Sequence, residues 1–156
     1  EISLCDWSSD VCSSDLGLPT GMQAMTTVLS RLAASGISVD MVSPADRPDG
    51  RRQLQLSIRE DVLDEACTEC RALVESLGGE ELVVHPGLAR LVLVGSGMTG
   101  RPGVYARALE ALHAEGIEVH ALSTSSISIA LLVDAAHEAR AAALLHEAFR
   151  LGEVAS

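Results

Sequence analysis

The chain has 156 residues, 47% of them hydrophobic, and a formal net charge of −11. That is apolar material enough for one ordinary core or two small ones, and the negative balance disfavours nucleic acid, whose affinity comes from Lys and Arg clustered against phosphates. All eleven basic residues are arginine, which excludes a P-loop lysine, a Schiff-base lysine and the lysine of most phosphoryl-transfer sites from this chain.

Residues 1–16, EISLCDWSSDVCSSDL, show neither helical nor strand periodicity and repeat the tripeptide SSD. They resemble a translated sequencing-library adapter, and they are expected to be a non-native leader whose Cys5, Trp7 and Cys12 carry no function, so that the natural chain would begin upstream of Gly17 and this sequence would be a fragment. The first folded segment, 17–88, then reads as a helix at about 21–35, a strand at 37–42, a turn at Arg47-Pro48-Asp49-Gly50 and an alternating strand around Leu54, Leu56 and Ile58. A helix at about 61–77 follows, ended by Gly78 and Gly79, and then a strand at 81–85. Its opening strand is expected to be missing.

The second segment, 89–151, begins with the apolar strand 90–94 and a glycine loop, Gly95, Gly97 and Gly100. Pro102 suits the first turn of the next helix, and Val104, Ala108 and Leu112 mark that helix's apolar face. A half-buried strand at 117–121, an inner strand at 127–133 and a helix at 135–151 complete it, with residues 152–156 as a tail and no room for a closing strand. Sliding the chain by eighty positions aligns LSRLAASGISVDMVS (29–43) with LEALHAEGIEVHALS (109–123), identical at seven of fifteen positions. The two segments are therefore copies of one supersecondary unit. The order β-α-β-β-α-β in each predicts an α+β chain of two ferredoxin-like units, antiparallel sheets with helices on one face.

The glycine loop has the G-x-G-x-x-G spacing of a dinucleotide site. A dinucleotide fold would need an acidic residue at the far end of the next strand and a larger parallel sheet, whereas Glu118 stands at a strand's start and a hairpin follows at once. The loop reads better as a tight strand-to-helix turn whose free N–H groups receive a carboxylate, which points to an amino-acid-sized ligand.

The stretch GSGMTGRPGVYARALEALHAEGIEVHALSTSSISIALLVDAAHEARAAALLHEAFRL (95–151) closely resembles the second ACT unit of aspartate kinases in its G-x-G-M-x-x-x-P-G-V loop, its S-T-S strand end and its L-H-x-x-F near the finish. GISVDMV and PDGRRQLQLSI are similar to parts of the first unit, so the resemblance covers about residues 17–151. It implies a paired regulatory ACT module that binds lysine or threonine as feedback inhibitor and forms a homodimer through its ACT units. It also implies a partner kinase domain that phosphorylates the aspartate side chain at the entry to lysine, threonine and methionine synthesis. ATP and Mg would belong to that kinase domain, and this chain itself is expected to hold no cofactor, no metal and no catalytic residue. A cytoplasmic location is expected, since no apolar run approaches a membrane span of about 20 residues and Cys5, Cys12, Cys67 and Cys70 follow no secretory pattern.

By motif position, the resemblance places the effector against Thr20, Gly21, Met22, Gln23, Ala24 and Met25, with Val42, Ser43 and Pro44 ending the adjacent strand. Glu118, Val119, Ser125 and Ser126 form the opposing surface of a neighbouring ACT unit. The sequence departs from the family's pattern where Thr20–Gln23 replace D-x-P-G, where Pro44 and Ala45 replace Q-N, and where Ser126 replaces the last residue of S-T-S-E. A stand-alone ACT amino-acid sensor is the second reading, and a nucleotide-dependent oxidoreductase a distant third. Cys67 and Cys70, a C-x-x-C without a second pair, are expected to be small packed residues rather than metal ligands. His137 and His146 are expected on opposite sides of one helix. Ser123–Ser126 reads as a polar hairpin turn, with no Asp-oriented histidine indicated beside it.

Overall fold

The computed structural model describes the backbone of residues 2–80, 82–95 and 102–149, and within those ranges the side chains from Leu16 onward. The glycine loop beyond Gly95 (96–101) and the end of the chain (150–156) lie outside the described residues. The elements are β1 (Ile2–Pro19), α1 (Met22–Ala34), β2 (Val39–Asp46), β3 (Arg51–Arg59), α2 (Leu63–Ser76), β4 (Leu82–Gly95), α3 (Val104–His113), β5 (Ala121–Thr124), β6 (Ser128–Asp134) and α4 (Glu138–Phe149). A short 3-10 turn leads into α2 and another into α4. The chain forms two compact units, Asp10–Pro86 and Gly87–Ser156, the latter joined by Glu1–Ser9.

In the first unit, α1 buries Ala24, Val28 and Leu32, four residues apart and hence one above another on a single helical face. These pack with Leu54, Leu56 and Ile58 of β3, all wholly buried, and with Ala66, Cys70, Leu73 and Val74 of α2. Both helices share one cluster with a single strand face, so they cover one side of the sheet. The second unit repeats this arrangement: Val104, Ala108 and Leu112 of α3 meet Ile129, Leu131 and Val133 of β6 and Ala141 and Leu145 of α4.

The duplication is visible residue by residue. Ala24, Val28, Leu32 and Ile37 have their counterparts eighty positions later in Val104, Ala108, Leu112 and Ile117. Leu54, Leu56, Ile58, Ala66 and Cys70 have theirs seventy-five positions later in Ile129, Leu131, Val133, Ala141 and Leu145. The change of offset places five additional residues in the β2–β3 hairpin of the first copy. Both first helices end alike, on Gly36 (φ +74°) and Gly116 (φ +70°), in a left-handed conformation that spares a side chain's clash.

The strands follow the order β2-β3-β1-β4-β6-β5. The first unit takes β2-β3-β1-β4 from it and the second β1-β4-β6-β5, each the order of a ferredoxin-like unit. The opening strand expected to be missing from the first copy is present: Val11 to Pro19 pair antiparallel with Arg59 to Arg51. The other part of β1 groups with the second unit, where β1 stands beside β4 in the position of the closing strand. Residues 2–16, expected to be a leader without strand periodicity, are thus strand. Ladder bonds are made by backbone groups, so a segment without apolar alternation can still complete a sheet.

Other boundaries also differ from expectation. Strands 81–85 and 90–94 are one strand, β4, which passes through Pro86 and Gly87. Proline and glycine there mark a hand-over, since the ladder with β6 begins at Leu88. The strand expected at 117–121 is instead β5 at Ala121–Thr124. Ile117 is buried because its N–H bonds the Leu112 carbonyl at the end of α3, which folds it onto the core without a ladder. In the first copy the strand expected at 37–42 likewise runs later, as Val39–Asp46, and carries a bulge between Val39 and Met41.

Truncating the equivalent core residues tests the duplicated packing. Leu56→Ala and Leu131→Ala are each expected to lower the unfolding free energy by about 2–5 kcal/mol, measured by urea denaturation. A loss below about 1 kcal/mol for either would mean that its core is not packed as described.

Candidate functional site

Two of the four helices, α3 and α1, start without a side-chain cap or an acidic first turn, and α1 is the one at the predicted site. Its cap position, Gly21 (φ +129°), provides no side-chain hydrogen bond, and its first turn carries no acidic residue. By contrast α2 has Asp64 and Glu65 in its first turn and α4 has Glu138. The first N–H groups of a helix have no partner within it and sit at the positive end of its dipole, so the first turn of α1 offers donors to an anion. The side chains settle which groups face outward. Ala24 is buried in the core and Met25 packs against it, whereas Thr20, Gly21, Met22 and Gln23 are exposed, Met22 at 66%. Ala24 and Met25 therefore contribute backbone alone. The hydroxyls of Thr26 and Thr27 turn back to the carbonyls of Met22 and Gln23 (2.8 Å each) and leave the N–H groups free of them.

The strand register brings the second part of the predicted site to the same end of the sheet. β1 ends at Pro19 opposite Arg51, and β2 ends at Asp46 opposite Arg52. Val42 and Pro44 pair with Leu56 and Leu54 and so share the helix-covered face, whereas Ser43 pairs with Gln55 and faces the other side. Val42 is 41% exposed on this edge strand. A shallow depression on α1 runs along its outer face past Thr26 and Ser30, and shares only Met22 and Gln23 with the predicted set.

The remaining predicted residues lie in the second unit. Glu118 is exposed and Val119 packs against the core just before β5. Ser125 is occupied as a turn lock: its hydroxyl accepts from the N–H of Ile127 (3.2 Å) and of Ser128 (2.9 Å) and bonds the Ser128 hydroxyl at 2.8 Å. Ser126 is exposed in the same turn.

One pairing was not legible in the sequence. His120 Nε2 lies 2.9 Å from Asp134 Oδ1, so the chain does hold an Asp-oriented histidine, at the other end of β5 from the serine turn. The signal was the β5–β6 register, which places Ala121 opposite Leu132 and brings His120, just before β5, beside the end of β6 at Asp134. Ser125 follows His120 by five residues along an extended chain, on the order of 16 Å, and its hydroxyl is already engaged; no nucleophile is assembled. Among the described residues, no group of three or more His, Cys, Asp or Glu could hold a metal ion, and no helix is long and apolar enough to cross a membrane. Cys67 and Cys70 are free and buried. Burial pushes both thiols up, Cys70 to about 11, with the nearby Cys67 and Glu69 adding to the effect.

Residues 91–149 match the family model of the ACT domain. An aspartokinase of Geobacillus stearothermophilus is 34% identical over 141 residues, which cover 90% of this chain and 34% of that protein. The ligand-free crystal structure of the regulatory subunit of aspartate kinase from Thermus thermophilus matches with a TM-score of 0.86 at 26% identity, over 95% of this chain and 98% of that one. The chain resembles the regulatory ACT portion of aspartate kinase. It spans about a third of the length of the curated relatives it matches. The aspartate kinase of Synechocystis also matches with a TM-score of 0.86 at 26% identity, over 96% of this chain and 27% of that one.

The two buried thiols give a direct check. In the native state Cys67 and Cys70 are expected to react with a thiol reagent at pH 8 only as fast as the protein unfolds. The Cys70 thiol holds its proton up to about 11 when folded, against 9.0 for the ordinary group, so the native state binds more protons between these values. Its contribution to stability is therefore constant below pH 9 and falls as pH rises from there towards 11. Rapid native-state labelling of Cys70 would contradict the burial described.

Proposed function

We propose that the chain is the amino-acid-sensing part of an aspartate kinase, and that it binds threonine or lysine at the first unit's helix start to control ATP-dependent phosphorylation of aspartate. The observation that carries this reading is the uncapped, acid-free N-terminus of α1 at the sheet end where β1 and β2 both finish. The ligand carboxylate takes the backbone N–H groups of Gln23 and Ala24. Thr20 and Glu118, the latter from a neighbouring ACT unit, answer its ammonium, and Met22 and Val42 border its side chain. Dimerisation through ACT units supplies that neighbour; β2 and β5 stand at the two ends of the strand order with ladder groups open on one side. ATP and Mg act in the kinase domain, and the setting is cytoplasmic.

The side chains favour threonine. None of the residues 20–25 and 42–44 is ionisable, which leaves Glu118 as the single carboxylate of the set. Lysine carries two ammonium groups into that surrounding and threonine one, so lysine's second charge would be desolvated without a partner. Control follows from differential binding: the effector shifts a two-state arrangement of ACT units only as far as it prefers one of them. A stand-alone sensor remains the second reading, supported by the near-complete match to a regulatory subunit that is a chain of its own.

Calorimetric titration with the protein amino acids tests this. Threonine is expected to bind more tightly than lysine and to stabilise the fold by about 2.7 kcal/mol at a hundredfold excess over its Kd. Gly21→Val, which forces a side chain onto φ +129°, is expected to weaken threonine at least about tenfold by displacing the first helical turn. Absence of heat and of thermal shift with both amino acids would refute the ligand assignment. Stabilisation by NAD instead would revive the dinucleotide reading.

A further inference from the structure

The five residues by which the first copy exceeds the second lengthen its β2–β3 hairpin. Arg47 N–H bonds the Arg51 carbonyl (2.7 Å), Gly50 N–H the Arg47 carbonyl (3.1 Å), and Arg51 N–H the Asp49 carboxylate (3.1 Å). From this turn two guanidinium groups reach one carboxylate. Arg47 Nη1 lies 3.3 Å and Arg51 Nε 3.1 Å from the two oxygens of Glu80, and Arg51 Nη1 donates to the Gly78 carbonyl at 3.1 Å. Glu80 is itself fixed on β1, because its N–H bonds the Gly17 carbonyl at 3.0 Å. The approach there is close enough that a Cβ on Gly79 would stand 2.5 Å from the same carbonyl oxygen. The second copy closes its shorter turn with serine hydroxyls instead.

We propose that Arg47 and Arg51, bridged by Glu80, are positioning residues for the amino-acid site of the first unit: they tie the end of β2 to the end of β1, the two segments that flank the start of α1. The inference rests on the ligand site proposed above. The geometry supports it on both sides, since Arg51 is the ladder partner of Pro19, the residue before Thr20 and Gly21, and Arg47 directly follows the last residue of β2. Magnitude decides what kind of effect this is. Arg47, Arg51 and Glu80 are each about a third to a half exposed, and ion pairs of that kind add little to global stability. Their effect therefore appears as local spacing and as sensitivity to ionic strength. Asp49 and Asp46 pair with Arg47 and Arg52 at 2.7 Å each and keep the cluster near neutrality, so the bridge acts by geometry rather than as a charge that attracts ligand.

The test compares the full 156-residue chain with Glu80→Gln and with the charge-swapped Glu80→Arg/Arg51→Glu, by hydrogen exchange and by threonine titration at low and high salt. In Glu80→Gln, exchange at Thr20, Ala45 and Arg47 is expected to quicken about fivefold while the β4–β6 ladder of the second unit keeps its protection, and threonine affinity is expected to fall about fivefold and lose its salt dependence. The swap restores the Arg51 arm alone, because Arg47 then faces an arginine, and it is expected to recover both only in part. Unchanged exchange at these amides overturns the bridge whatever the ligand does. Altered exchange with unaltered threonine affinity overturns its role in positioning. Altered exchange in a chain that binds no amino acid in any form overturns that role together with the ligand assignment.

Discussion

A four-stranded sheet covered by helices on one face needs its fourth strand to satisfy the open ladder groups of its first, and here each copy takes these strands from its own part of two long ones, β1 and β4. β1 completes the ladder of β3 in the first unit and stands beside β4 in the second, and β4 leaves the first unit at Pro86 to enter the second at Gly87. Two cores of alternating Leu, Ile and Val with almost no aromatic residues are thereby assembled from one duplicated pattern. Everything at the ligand end follows from this arrangement, because the place where β1 stops fixes where α1 begins.

The helices and the core were legible because their signals are local. Ala24, Val28 and Leu32 recur at helical spacing, Leu54, Leu56 and Ile58 at strand spacing, and the matching residues of the second copy repeat them. Strand origin was not legible, since pairing between distant segments leaves no periodic trace and residues 2–16 have no apolar alternation to betray a ladder. Pro86 and Gly87 read as a break and mark instead a change of partner. At the candidate site the exposed groups, Thr20 to Gln23, could be placed by motif, whereas the burial of Ala24, the locking of Ser125 and the His120–Asp134 pair depend on tertiary neighbours that no spacing reveals.

The departures from the aspartate kinase pattern acquire a physical meaning in this setting. Where the family it resembles usually offers an acidic residue at the start of the first helix, Thr20 and Gly21 leave the dipole uncompensated, which on the proposed reading favours a carboxylate there and disfavours a second ammonium. A chain with no lysine and eleven arginines spends several of those arginines on bracing rather than on binding phosphate: Arg31 on Glu69 between the two helices of the first unit, and Arg47 and Arg51 on Glu80 at the hairpin. On the proposed reading, the described residues serve recognition, carried by backbone donors on a duplicated frame.

The most direct measurement is a threonine titration followed by amide ¹H–¹⁵N resonances over the whole chain. The account predicts saturable shifts concentrated on Gly21, Gln23 and Ala24, with a second group at Glu118 and Val119, and quiet resonances for Leu54 to Ile58 beneath them. Shifts confined to the segment around Gly97, or none at any amide of the first turn of α1, would contradict it.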